Sequence, residues 1–151
     1  MCMEIVLRSM NQRNLCWLLV AAVLINDAEA MTRQQMKNSL KMLKKQCMSK
    51  TQVAEDLIVD IEKGKFIEDK NVMCYIACIY QMSQIVKNNK LNYEASLKQV
   101  DLMYPPDLKD AAKKSITKCK DVSKKYKDLC EASYWSAKCV YEDDPSSFIF
   151  P

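Results

Sequence analysis

From Val72 to Tyr80 every residue is apolar, aromatic or cysteine, and the run contains Cys74-Tyr75-Ile76-Ala77-Cys78. A helix over residues 71–86 would be apolar almost all round, so neighbours must cover it on several sides. Cysteines at i and i+4 place both sulfurs on one face. Such a pair can staple one helix to two other parts of the chain. The stretch therefore predicts a central helix that walls a small disulfide-bonded shell.

The start of the chain sets the compartment. Arg8 and Arg13 make residues 1–30 basic at the front, Leu15 to Ile25 is an uninterrupted apolar run, and Ala28-Glu29-Ala30 fits a small-x-small cleavage site. The run is too short to span a bilayer unaided. The expectation is a secretory signal peptide over 1–30 and a secreted domain over 31–151, without stable membrane insertion.

With Cys2 and Cys16 removed, eight cysteines become six: Cys47, Cys74, Cys78, Cys119, Cys130 and Cys139. An even count in a small secreted chain reads as three disulfides. Neither the oxidising compartment nor the spacing favours zinc, since paired Cys-x-x-Cys knuckles are missing. Removing Arg8 and Arg13, and Glu4, Asp27 and Glu29, takes 23 basic and 19 acidic residues to 21 and 16, net +5. All of those cations except Arg33 are lysines, which are point charges rather than bidentate forks. They are spread over several segments and read as solvated helix faces, with no nucleic-acid partner.

Local signals divide the mature chain into helices. Thr32 with Gln35 forms a capping box, and Met36, Leu40, Leu43 and Cys47 follow at helical spacing. Thr51 is expected to cap a second helix with Val53, Leu57 and Ile61 buried, closed by the chain's single glycine, Gly64. After the central helix, Asn92 caps a fourth, and Tyr104-Pro105-Pro106 stops it. A fifth begins near Asp107 and carries Leu108, Ala112, Ile116, Cys119 and Val122, with Lys124, Lys125 and Lys127 in its last turn. Asp128 with Glu131 opens a sixth. No stretch alternates with period two, so the prediction is all-α. The chain ends in Phe148-Ile149-Phe150-Pro151, an apolar terminus that must fold back or bind a partner.

The chain contains no histidine. Ser-His-Asp and Cys-His nucleophiles and the usual zinc-hydrolase ligand sets are excluded with it. Oxidised cysteines leave no thiolate, and there is no P-loop or glycine-rich fingerprint. Acidic residues fall at caps, loops and polar faces. The reading is a binding protein, not an enzyme, with no cofactor and no metal.

The intervals Cys47-x26-Cys74-x3-Cys78-x40-Cys119-x10-Cys130-x8-Cys139 resemble those of the insect odorant-binding proteins of the pheromone and general odorant type. The resemblance covers essentially all of 31–151. It is nearest to the LUSH-type branch through Met31-Thr32, Met73-Cys74-Tyr75, Tyr104-Pro105-Pro106, Ala137-Lys138-Cys139 and Phe150-Pro151. It implies a compact six-helix disulfide-bonded bundle enclosing an internal hydrophobic ligand pocket. It also implies the bridges Cys47–Cys78, Cys74–Cys130 and Cys119–Cys139. Spacing alone leaves these open, because six cysteines allow fifteen connectivities.

By helix face, Leu40, Leu43, Ile76, Tyr80 and Ser83 are candidate pocket residues; Leu91, Met103, Ile116, Tyr134, Phe148 and Phe150 join them through the resemblance. Ordinary core packing is the competing reading for each aliphatic, since periodicity does not separate core from cavity wall. Hydroxyls at Tyr80, Ser83 and Tyr134 would orient a ligand oxygen. The LUSH-type pattern carries small hydroxyl residues where this chain has Tyr80 and Ile85, which argues against very small alcohols. The resemblance further implies a tail folded over the pocket, a small hydrophobic ligand, a chemosensory receptor as partner, a monomer or weak dimer, and residence in sensillum lymph. Some such proteins release ligand on acidification. Without histidine, that would need carboxyls with raised pKa values, at Glu142, Asp143, Asp144 or the terminus. A saposin-like membrane protein and a helical secreted signalling protein are the alternative classes.

Overall fold

The structure, a computed structural model, describes residues 31–151; the signal-peptide expectation for 1–30 lies outside the described residues. Among the described residues, none of the helices is long and apolar enough to cross a membrane. They form six α-helices, two 3-10 turns and one two-stranded hairpin.

Helix α1 spans Arg33–Thr51. Its capping box is complete: the Gln35 amide donates to Thr32 Oγ1 at 3.2 Å, and the Thr32 amide donates to Gln35 Oε1 at 2.7 Å. Thr51 does not start the next helix. Its hydroxyl bonds back to the Cys47 carbonyl at 2.7 Å, and Gln52 ends α1 in the left-handed region at φ 53°. Helix α2 is then only Glu55–Ile58, with no side-chain cap, followed by a 3-10 turn at Ile61–Lys63. This short path buries Ile58 beside Val53 and Ile61, and leaves Leu57 at the edge of the core.

Helix α3, Lys70–Met82, is the central one. Asp69 caps it by accepting from the Asn71 and Val72 amides at 2.8 and 3.1 Å. Val72, Tyr75, Ile76, Ala77, Cys78 and Ile79 are all buried, so apolar side chains leave it in every direction. It stops at Met82, four residues before the sequence-based boundary. The chain turns instead into strands β1, Val86–Lys87, and β2, Lys90–Leu91, paired antiparallel. Asn88 and Asn89, at φ 50° and 58°, supply the two positive-φ residues of a type I′ turn. The all-helical expectation missed this ladder, which is too short to show period two.

Asn92 caps α4, Tyr93–Met103, by accepting from the Ala95 amide at 2.8 Å. Pro106 occupies the first position of α5, Pro106–Cys119, where a missing N–H costs nothing. The expected lysine-rich end of α5 is a separate 3-10 turn, Val122–Lys125. Helix α6, Leu129–Asp143, begins at Asp128, whose carboxylate accepts from the Glu131 amide at 3.0 Å.

Three bridges tie these elements. Cys47–Cys78 joins α1 to α3, Cys74–Cys130 joins α3 to α6, and Cys119–Cys139 joins α5 to α6. The two sulfurs on one face of α3 thus hold helices from both ends of the chain. The main core lies between α3, α6 and the segment from Val53 to Ile61.

Gly64 closes the 3-10 turn at φ +91°, and a Cβ built there would run into the Tyr141 ring. The backbone demands glycine, and a larger residue would also have to push the tyrosine aside. Gly64→Ala is expected to cost about 1–3 kcal/mol; urea unfolding checks this, and an unchanged midpoint would contradict it.

Candidate functional site

A cavity of about 1040 Å³ opens beside the C-terminal end of α3. The first turns of α3 send Val72, Tyr75 and Ile76 into the main core, and its last turn supplies Ile79, Tyr80 and, at the C-cap, Ser83 to the wall. Helix α1 adds Met36, Leu40 and Leu43. The hairpin adds Leu91, α4 adds Val100 and Met103, and α5 adds Ile116. Leu129, Ala132, Ser136 and Val140 bring one stripe of α6, at spacings of three and four.

Of the residues singled out in the sequence, Leu40, Leu43, Tyr80, Ser83, Leu91, Met103, Ile116, Phe148 and Phe150 lie on this wall. Ile76 and Tyr134 do not. Both are fully buried in the main core. Ile76 sits one turn before Tyr80, on the part of α3 that packs into the main core. Tyr134 lies two positions from both Ala132 and Ser136, which is roughly 200° round the helix. Its ring instead meets Phe66 and Trp135 edge-on, at 5.8 and 5.2 Å between centroids. Burial pushes the Tyr134 hydroxyl up to about 12, and it has no hydrogen-bond partner among the described residues.

The wall also contains hydroxyls that sequence reasoning passed over. Tyr104 lines the cavity; burial pushes its pKa up to about 12, against a lowering hydrogen bond with the Ile149 backbone. Burial likewise raises Tyr80, with Tyr104 adding to the effect. Both therefore stay neutral and protonated at neutral pH and remain available as donors. Ser136 Oγ is buried without a hydrogen-bond partner among the described residues, and Ser136 faces the cavity. The Tyr104-Pro105-Pro106 motif was the available signal for Tyr104; Ser136 had none beyond its place on a stripe with Ala132 and Val140.

The C-terminal tail forms one side of the site. Phe148 and Phe150 point one way, as alternate residues of an extended segment do. Their rings are parallel, 5.8 Å apart between centroids. Phe150 meets Tyr75 and Tyr80 edge-on, and Phe148 meets Tyr141. Ile149 points the other way, into a cluster with Met36 and Leu40.

Polar contacts hold the tail in place. Arg33 Nη1 donates to the Ser146 carbonyl at 2.6 Å and Nη2 to the Phe148 carbonyl at 2.8 Å. The Tyr75 hydroxyl donates to the Pro151 carbonyl oxygen at 3.1 Å. Glu62 backs the clamp, 3.6 Å from Arg33 and 2.7 Å from Lys37.

Fold and site together define a disulfide-bonded helical shell around a largely apolar cavity, with the segment Phe148–Pro151 forming one side of its wall. The chain belongs to the PBP/GOBP family, whose sequence model matches residues 29–143. It is similar to General odorant-binding protein 19a of Drosophila melanogaster, 33% identical over 131 residues that cover 84% of this chain and 89% of that protein. General odorant-binding protein 72 of Anopheles gambiae is 30% identical over 122 residues, covering 81% of this chain and all of that protein. The crystal structure of Odorant Binding Protein 4 of Chrysopa pallens superposes with a TM-score of 0.71 at 36% identity, covering 80% of this chain and 99% of that one. Family membership replaces the saposin-like reading.

Two predictions follow from the clamp and from the carboxylates near the tail. Arg33→Lys keeps the charge but not the fork that spans two carbonyls. Losing one charged hydrogen bond, worth about 1.5–3 kcal/mol, is expected to raise amide exchange at Ile149 and Phe150 at least tenfold. Unchanged exchange would show that the clamp is idle.

The pH expectation changes sign at two residues. Lys118 and Ser115 hold the Asp143 carboxyl below its ordinary value, and Ser146 and Ser147 do the same for Asp144. Neither can serve as the raised carboxyl that an acid switch requires. A lowered carboxyl contributes stability that is present above its unfolded pKa and lost as pH falls through its folded one. Ligand-probe affinity is expected to stay level between about pH 7.4 and pH 5, and to fall only below about pH 4. A loss near pH 6 in a fluorescence titration would refute this.

Proposed function

We propose that this protein is a secreted carrier, which takes one small hydrophobic molecule into the cavity and moves it through aqueous fluid in chemosensation. The observation that carries the reading is the cavity itself. Its volume of about 1040 Å³ lies at the upper end of the range usual for small-molecule sites, roughly 300–1,000 Å³. Its inner wall is mainly aliphatic and aromatic, with hydroxyls that include Tyr80, Ser83 and Tyr104, and exposed lysines stand only at its mouth. Holding, not conversion, is what such a wall supports. Its neutral hydroxyls can orient a ligand oxygen, but the chain has no histidine to activate one.

Export by the 1–30 segment fits three disulfides, which persist in oxidising fluid. The names of the relatives support odorants and related apolar molecules as the ligand class. Sensillum lymph as the fluid and a chemosensory receptor as the recipient complete the proposal, with the carrier acting as a monomer or weak dimer.

Displacement of an environment-sensitive naphthylamine probe by a panel of volatile and fatty compounds tests the carrier role. Deletion of residues 146–151 tests the tail. The deletion removes Phe148, Ile149 and Phe150 from the wall, so affinity is expected to fall at least tenfold while the helical circular-dichroism spectrum persists. Unchanged affinity would count against a tail that closes the site.

A further inference from the structure

We propose that the ligand is an amphiphile, with an apolar body that fills the cavity and one anionic head group, carboxylate or phosphate, held at a rim formed by Lys90, Lys120 and Lys127. The proposal rests on the carrier reading and narrows it to a ligand class.

The charge on the cavity wall is one-sided. Lys90, Lys120, Lys124 and Lys127 line it, and no aspartate or glutamate does. Over residues 31–151 there are 21 basic and 16 acidic residues, yet every charged residue on the wall is a lysine. All four lysines are exposed, which places them at the mouth, away from the apolar interior.

They come from two segments that meet there. Lys90 belongs to the hairpin, and the other three to the connection between α5 and α6. Tyr93, two residues past the hairpin at the start of α4, faces the second segment: its hydroxyl lies 2.9 Å from Thr117 Oγ1 of α5, and Lys120 Nζ stands 5.9 Å from its ring centroid. Lys124 is already paired, its Nζ 2.6 Å from Asp121. Lys90, Lys120 and Lys127 make no ion pair among the described residues, whereas Lys113 and Lys118 on the neighbouring helix α5 pair with Asp101 and Asp143. Other lysines of the described residues are also unpaired, but these three are the ones that line the cavity and have no carboxylate to compete with a ligand.

The interior supplies the opposite half of the argument. Its polar groups are neutral, hydroxyls and the Gln99 amide, and an ionised group buried there without a counter-charge would carry a heavy desolvation penalty. A charged head can be accommodated at the mouth alone, with the apolar body inward. Exposed ion pairs add modestly to affinity and weaken with salt. The rim therefore selects among apolar ligands, and the interior supplies most of the binding.

The test compares dodecanoate, dodecyl phosphate and methyl dodecanoate, each below its aggregation concentration, as displacers of a neutral naphthylamine probe. They are applied to the wild-type protein and to the K90Q/K120Q/K127Q variant, at low and at high salt. At least one anion is expected to bind about fivefold or more tightly than the ester at low salt, with the gap closing at high salt. The variant is expected to lose that preference and keep its affinity for the ester. Whichever anion binds more tightly identifies the head group. Equal binding of anions and ester, or a preference that survives in the variant, overturns the rim assignment and leaves the carrier reading standing. Failure of all three compounds to displace the probe overturns the carrier reading and this proposal with it.

Discussion

The structure depends on α3, which is buried through most of its circumference from Val72 to Ile79 and bridged from one face. Cys74 and Cys78 lie a turn apart on the same face, yet they reach different partners, Cys130 at the start of α6 and Cys47 near the end of α1. Loop closures of this size constrain the unfolded chain by roughly 3–4 kcal/mol each. That contribution does not depend on how densely the interior is packed. A fold held in this way can leave part of its centre hollow, since its stability does not rest on side-chain contact alone. The hollow also has only one place to go. The first turns of α3 are fixed between α6 and the segment from Val53 to Ile61, so space opens past Ile79, where the helix ends.

The tail completes the wall by a different physics. Phe148, Ile149 and Phe150 are each about 95% buried. Alternation sends two rings to the main core and one aliphatic side chain to the cluster on α1. Burial of that area competes with the entropy of fixing an extended segment. The arginine fork and the Tyr75 hydroxyl add directional contacts that set its register. Arg33 is the only arginine after residue 30. It stands where two carbonyls must be held at once, a task for which a lysine has the charge but not the geometry.

What could be read from the chain followed the range of the interaction. Caps are local, and Thr32, Asn92 and Asp128 announced their helices correctly. Thr51 misled because a threonine hydroxyl can equally bond back into the preceding turn. The hairpin at Asn88-Asn89 escaped because two-residue strands have no periodicity to detect. Disulfide pairing was not in the spacing and came only through resemblance to a family. Pocket residues were harder still, as Ile76 and Tyr80 share a helix face but only Tyr80 reaches the cavity. Helical phase fixes direction around the axis and says nothing about depth along it. Tyr134 and Ser136 show the converse: they share a turn, but a difference in phase sends one hydroxyl to the core and the other to the cavity.

The same map of constraints decides which side of the shell can open. Between Cys78 and Cys119 lie forty residues without a cross-link, and they include the hairpin, α4 and most of α5. The opposite wall is α3 and α6, joined covalently to each other through Cys74–Cys130. Local opening draws on segments with few buried contacts and few covalent ties. The hairpin lies on the side without a cross-link: its ladder is two residues long on each strand, and Lys87, Asn88, Asn89 and Lys90 are exposed. Entry past the hairpin leaves the bridged half unmoved, whereas entry through α3 or α6 would require the main core to part. Lys90 of the proposed rim therefore stands on the side of the wall that no disulfide ties down.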